Sequence, residues 1–211
     1  MSILSFFRKP SSEEAARFLV EQIVLACLLY SKELAESKGM IETNDQRSAS
    51  AGIEVAYLLL HLLDMELFAQ VEASRRDALF DPIAQAVIVS YLKAALRPET
   101  PTDLKLSAAV QMQETLNERQ ITYSKCHSVF GDSFPGIGTM IFAFCFFVRR
   151  ALGQTNRIDF EDILSGDKDK FSEANSGDFP DAKTAFSGAV WIGAALKSLK
   201  LQEYAKYLGR R

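Results

Sequence analysis

The sequence predicts an all-α fold, a single domain built as a bundle of six or seven helices. Apolar residues recur at helical spacing, and no segment shows a convincing alternation of apolar and polar residues. Helix start and stop signals also punctuate the chain throughout. With 211 residues, 48% of them hydrophobic and 24% charged, the chain is long enough to bury one full core. We therefore expect a globular helical protein.

The first predicted helix begins at Ser11 and is stopped by Gly39. Glu14 follows Ser11 by three residues, which is a capping-box pattern: each side chain can bond the backbone N–H of the other residue. The continuously apolar run from Ile23 to Tyr30 predicts that this helix lies centrally in the bundle.

The second to fourth helices are bounded by the next signals along the chain. Proline suits the first turn of a helix, where its missing N–H leaves no hydrogen bond unmade. Asp81 and Pro82 are therefore predicted to be the N-cap and first helical residue of the third helix. The predicted helices run from Asn44 or Asp45 to about Ala73, from Asp81 to just before Arg97, and from Thr100-Pro101 to about Lys125.

The remaining helices follow a turn-rich break at residues 131–138. A fifth helix ends at Gly153, a short one covers Asp159 to Leu164, and the last runs from near Pro180 to about Leu208. In the last helix, Gly188 and Gly193 are interpreted as positions where another backbone packs closely in the core. The first, second and fifth helices are expected to supply most of that core.

Composition narrows the function classes. A net charge of −3 gives no basic field for nucleic acid, so we expect no nucleic-acid partner. The three cysteines are an odd number without a C-x-x-C pair, which favours a reducing compartment. No run is apolar for long enough to span a bilayer, and the first residues lack the features of a signal peptide. These observations predict a cytoplasmic protein.

The second helix carries the best candidate site, a narrow polar stripe on an otherwise apolar helix. Its members fall within one arc of roughly 80°, and they are Ser50, Glu54, Tyr57, His61 and Asp64. Such a stripe is either the part of the helix left facing water, which is the ordinary expectation for charged residues, or a set of groups aimed into a site. In the second case Glu54, His61 and Asp64 could hold a divalent metal or carry out acid–base chemistry. No cofactor motif is present.

The fourth helix offers a possible partner for the stripe. One of its faces carries polar residues that could line a pocket with the second helix, namely Gln113, Asn117, Gln120 and Ser124, with Glu118, Arg119 and Tyr123 at the rim. The alternative is that this helix is simply exposed. The neighbouring Cys126 and His127 invite a nucleophile–base interpretation, but adjacent residues on a helix diverge by about 100°.

The N-terminal segment, residues 1–10, precedes the helical domain of residues 11–211. Its apolar residues are followed by Arg8 and Lys9, and they are Ile3, Leu4, Phe6 and Phe7. This short amphipathic pattern predicts either weak peripheral contact with a membrane or packing of the segment over the bundle.

Three hypotheses for function follow. The first is a non-enzymatic helical protein–protein interaction module, whose partner is another protein or a copy of itself. The second is a metal-dependent or acid–base enzyme with its site between the second and fourth helices, where Glu54, Tyr57, His61 and Asp64 act with Glu118 and Tyr123. The third is attachment to a membrane through the N-terminal segment.

Overall fold

A computed structural model describes residues 9–36, 45–130, 136–153, 159–165 and 182–209. These residues form eight helices: α1 (Ser12–Glu36), α2 (Asp45–Phe68), α3 (Ala73–Ala95), α4 (Thr102–Ser124), α5 (Met140–Ala151), α6 (Phe160–Ser165), α7 (Ala182–Leu199) and α8 (Leu201–Leu208). Among them the only β-type pairing is one isolated bridge between Ser128 and Thr139. The predicted all-α, single-domain bundle is confirmed.

The capping box at the start of α1 is present as predicted. The Ser11 N–H donates to a carboxylate oxygen of Glu14 at 2.7 Å, and the Glu14 N–H donates to the Ser11 hydroxyl at 3.2 Å. The helix packs against α2, α3 and α8. Leu25 and Leu29, on its other face, are about half exposed, so α1 is less central than its apolar run predicts. Its predicted stop at Gly39 lies outside the described residues.

The start of α3 corrects a prediction. The helix begins at Ala73, so Asp81 is not its N-cap and Pro82 lies inside it. The extra turns are held by tertiary contacts: Arg75 donates to the Gly209 carbonyl at 2.8 Å, and Arg76 lies 3.4 Å from Asp64 of α2. Together with the packing of Leu79 and Phe80 against the core, these contacts hold the helix through the proline, which removes one backbone hydrogen bond.

The last predicted helix is divided into two, which accounts for the eighth helix. Lys200 adopts the left-handed conformation with φ 47°, which interrupts the helix between α7 and α8. The break lets α8 bury Leu201, Ala205 and Leu208, and Tyr204 of α8 stacks on Phe18 of α1 with ring centroids 4.3 Å apart. No glycine or proline marks this point, so local signals do not predict it.

The core is centred on α2 and α5. Every residue of α5 from Met140 to Val148 is buried, because α5 packs against α2 on one side and α7 on another. The side chain of Thr139 caps α5 by accepting from the Phe142 N–H at 3.1 Å. Gly153 then follows the helix with φ 79°, in agreement with the predicted end. The described core also contains one face of α3, which the sequence did not single out.

The two alternatives for the N-terminal segment, packing over the bundle and contact with a membrane, stay predictions. The apolar residues Ile3, Leu4, Phe6 and Phe7 lie outside the described residues, so neither their packing nor a membrane contact is tested. Among the described helices α3 alone is long and apolar enough to cross a bilayer by length and composition. One face of α3, with Ile83, Val87 and Tyr91, is buried in the bundle.

Candidate functional site

The polar stripe of α2 points into the bundle, not into water. Glu54 and His61 are only 4% and 5% exposed, and Tyr57 is fully enclosed. The interpretation of a water-facing face is therefore wrong for these three residues, although Ser50 at the start of the stripe is exposed. A buried charge requires a partner, so the contacts of each residue decide what the stripe does.

Glu54 is paired with Arg119 of α4. Arg119 Nε donates to Glu54 Oε2 at 2.9 Å and Nη2 donates to Oε1 at 2.8 Å, a two-pronged ion pair that fixes orientation as well as distance. The guanidinium also lies 3.5 Å from the centroid of the Phe147 ring of α5. Burial alone would lower the pKa of Arg119, but its hydrogen bonds with Glu54 and the charge of that carboxylate raise it overall. The pair joins α2, α4 and α5.

His61 is held by the next residue of α4. Its Nδ1 donates to Gln120 Oε1 at 2.5 Å, which leaves Nε2 as an acceptor. Burial lowers the pKa of His61, against the opposing effects of Gln120 and the charge of Asp64. Tyr123 lies beside it, with ring centroids 5.5 Å apart. His61 Nε2, Gln120 Nε2 and Tyr123 Oη have no partner among the described residues, and such buried groups are commonly satisfied by ordered water.

Asp64, the last member of the stripe, faces a different helix. Arg76 of α3 lies 3.4 Å from its carboxylate and also pairs with Asp77. Burial raises the pKa of Asp64, although the charge of Arg76 partly offsets this effect. The three candidate ligands are therefore held by separate partners. Within the described part of the chain, no three His, Cys, Asp or Glu side chains converge as a metal-binding group.

The sequence predicts the wrong inner face for α4, although α4 is the helix that contacts the polar stripe of α2. Asn117, Ser124 and the candidate Glu118 are exposed. The inner face instead carries Leu116 with Arg119 and Tyr123, and Gln120 is the one predicted pocket residue that reaches α2. The prediction fails because α4 has apolar residues on both faces, so its hydrophobic pattern does not identify the buried face.

A cleft of about 810 Å³ adjoins the Glu54–Arg119 pair, between α2, the end of α3 and α4. Glu54 and Tyr57 form part of its wall, and Arg97 and Thr100 come from the segment after α3. The rest of the lining combines the polar residues Ser50, Tyr91, Gln111 and Thr115 with apolar side chains that include Ile53, Leu92, Leu96, Ala108 and Met112. Small-molecule sites in proteins have volumes in this range and combine apolar walls with polar groups.

The Cys126–His127 pair shows no sign of an activated nucleophile. Burial raises the pKa of Cys126 to about 11, and its thiol is 3.7 Å from the Thr122 carbonyl. A thiol with such a pKa is protonated at neutral pH, whereas nucleophilic cysteines depend on the thiolate. His127 is exposed, and its backbone N–H bonds the Gly138 carbonyl at 3.1 Å.

Comparison with protein-family models, with curated proteins and with solved structures gives no match. The described part of the chain forms an all-α bundle with a buried ion pair between α2 and α4 and a cleft beside that pair.

The buried histidine leads to a test of pH dependence. Because the pKa of His61 is lowered below 6.5 on folding, the unfolded chain binds more protons between the folded and unfolded values. The free energy of unfolding should therefore fall as the pH drops through about 6.5, the ordinary histidine value. Urea denaturation between about pH 5.5 and 7.5 would measure this slope.

His61→Gln should flatten that slope, and His127→Gln provides the matched control because His127 is exposed. An unchanged slope in His61→Gln would show that this histidine titrates normally in the folded protein.

Proposed function

We propose that this chain is a non-enzymatic helical interaction module that binds another protein through the outer face of α4. The observation that carries this proposal is the exposure of large apolar side chains on that face. Leu106 is 66% exposed, Val110 52% and Ile121 58%, and we call these three residues the α4 stripe. Their positions fall within roughly 60° around the helix, with Gln113 and Asn117 between them. Several large apolar side chains exposed along one helix face are a feature of interaction sites.

Acidic residues flank the α4 stripe along one side. Asp103, Glu114 and Glu118 are all exposed, and none forms an ion pair with a described residue. A helix that offers an apolar stripe beside an acidic edge complements an amphipathic helix with basic residues next to its own apolar face. The partner we propose is therefore a basic amphipathic helical segment of another protein.

Self-association is less well supported by the same surface. In an antiparallel symmetric pair the same patch is used by both copies, so the acidic edges of the two α4 helices would lie on the same side of the interface. Like charges in that position oppose pairing. A copy of the chain is therefore kept as an outcome of the test and not as the proposed partner.

The inner face of α4 supports the proposal because it fixes the helix in place. Arg119 is held by Glu54 on α2 and lies over Phe147 of α5. A surface that is formed before binding loses less conformational freedom when the partner arrives.

The enzyme hypothesis remains the alternative, and the contacts favour it less. Both oxygens of Glu54 accept from Arg119, and Asp64 faces Arg76. Burial raises the pKa of Tyr57 and of Tyr123, so both hydroxyls are protonated at neutral pH and neither serves as a base. These groups are already used to hold helices together.

A designed peptide tests the proposed function. We would measure by fluorescence anisotropy the binding of a labelled peptide of about 15 residues, with leucine at helical spacing and lysine elsewhere. A companion peptide carries glutamate in place of lysine. The double substitution Leu106→Ser with Val110→Ser should weaken binding of the lysine peptide about tenfold or more, since it removes apolar surface without adding charge.

The matched control is Val89→Ser with Val190→Ser, two exposed valines on other helices. Equal binding by both peptides, or equal loss in both double variants, would refute binding at the α4 stripe. Sedimentation velocity on the unliganded protein detects self-association, and a dimer broken by Leu106→Ser would replace the basic partner with a second copy.

A further inference from the structure

The cleft between α2, α3 and α4 lies on the inner side of α4 and is separate from the α4 stripe. One of its buried polar groups is the carboxylate of Glu54, which lines the cleft while it pairs with Arg119. Each oxygen accepts one hydrogen bond from the guanidinium. A carboxylate oxygen has two acceptor positions, so one position on each oxygen is free for an N–H or O–H donor. The cleft therefore offers a hydrogen-bond acceptor in its wall.

The other charged residue of the cleft is Arg97, which follows α3 and is exposed. Its guanidinium makes no hydrogen bond or ion pair with a described residue. Because Glu54 and Arg119 neutralise each other, Arg97 gives the cleft a net charge of about +1 at neutral pH. Guanidinium groups bind carboxylates, sulfonates and phosphates with paired hydrogen bonds, so a single anionic group fits here.

The wall of the cleft also carries apolar side chains from three helices. Ile53 comes from α2, Leu92 and Leu96 from the end of α3, and Ala108 and Met112 from α4. Apolar walls of this kind favour an aromatic or aliphatic body, and the flexible thioether of methionine adapts to its shape.

We infer that this cleft binds a small amphipathic monoanion, whose anionic group pairs with Arg97, whose apolar body lies between α3 and α4, and whose N–H or O–H group donates to Glu54. The volume of about 810 Å³ accommodates such a molecule. This binding is independent of the proposed protein interaction, because the two surfaces lie on opposite faces of α4.

The probe is 8-anilinonaphthalene-1-sulfonate, which combines one sulfonate, an apolar ring system and one amine N–H. N-phenyl-1-naphthylamine, the same molecule without the sulfonate, is the matched uncharged probe. Fluorescence titration of the full chain should show saturable binding of one sulfonate probe per chain. Near-UV circular dichroism on the same samples confirms a fixed fold, since this dye also binds loosely packed states.

Two variants test the location. Arg97→Gln should weaken binding of the sulfonate about fivefold or more and leave binding of the uncharged probe unchanged, because it removes a charge-assisted contact. Ala108→Trp should abolish binding of both probes because it fills the cleft from a partly exposed position, where an added side chain is tolerated. Arg17→Gln is the control: Arg17 lies beside Pro82, about 20 Å along α3 from Arg97.

The remaining outcomes overturn the inference. Binding that survives Ala108→Trp in a folded protein places the probe elsewhere, and an undetectable sulfonate signal removes the site. Equal loss of both probes in Arg97→Gln contradicts recognition of the anion.

Discussion

Arg119→Met should destabilise the protein by about 3–5 kcal/mol, because it leaves the buried carboxylate of Glu54 without its partner. Methionine keeps an apolar chain near Phe147, so most of the loss reports the unpaired charge and not a missing contact. The two-pronged geometry adds to the effect, since both hydrogen bonds to Glu54 disappear together. Urea denaturation at pH 7 measures the change in the free energy of unfolding.

Removing both charges should restore most of the stability. Replacing a buried ion pair by apolar residues of similar size is often neutral or stabilising, so Glu54→Leu with Arg119→Met should lie within about 1–2 kcal/mol of the wild type. Arg76→Met is the control, because the Asp64–Arg76 pair is partly exposed and should cost less than about 1 kcal/mol. If Arg119→Met costs no more than Arg76→Met, the Glu54–Arg119 pair is effectively solvated.

Gly52→Ala should cost about 3 kcal/mol, because α1 packs closely against α2 at this glycine. A Cβ at position 52 would lie 1.9 Å from the Ser31 hydroxyl oxygen, 2.8 Å from Tyr91 Oη and 2.9 Å from the Cys27 carbonyl oxygen. The Ser31 hydroxyl also bonds the Cys27 carbonyl and lies 3.3 Å from Tyr91 Oη, so one methyl group disturbs a small hydrogen-bonded network. The melting temperature and the urea midpoint both report the loss.

Gly193→Ala is the matched control for this prediction. No described heavy atom lies within 4 Å of a Cβ built at Gly193, so alanine should stabilise α7 by about 0.5–1 kcal/mol through its higher helix propensity. Adding Ser31→Ala to Gly52→Ala removes the nearest clashing atom and should recover part of the lost stability. The recovery should be incomplete, because the contact with the fixed Cys27 carbonyl persists. Equal effects of alanine at positions 52 and 193 would show that α1 and α2 are further apart.

Features set by neighbouring residues could be predicted from the sequence. The capping box of Ser11 and Glu14 depends on four consecutive residues, and its hydrogen bonds are present. The start of α3 could not be predicted, because Arg75 and Arg76 hold its first turns through contacts with α8 and α2 that lie far away in the chain. The break at Lys200 likewise depends on the packing of α8 against α1.

The same distinction between local and distant contacts applies to the candidate site. Helical periodicity placed Glu54 and His61 on one face of α2, and the structure keeps them together. Gln120, the partner of His61 on α4, is among the predicted pocket residues, whereas the sequence places Arg119 only at the rim because charged residues are ordinarily exposed. A buried glutamate requires a cation nearby, and that requirement is the one signal that could have pointed to Arg119.

The ion pair between α2 and α4 also determines which side of α4 is left for binding. Leu106 and Val110 are as apolar as the residues of the inner face, so hydrophobic burial alone would permit the helix to dock in a second, rotated arrangement. Rotation would strand the Glu54 carboxylate in the core without Arg119, at a cost of several kcal/mol. The ion pair therefore favours one rotation of α4 about its axis. By doing so it determines which apolar face of the helix is exposed to solvent.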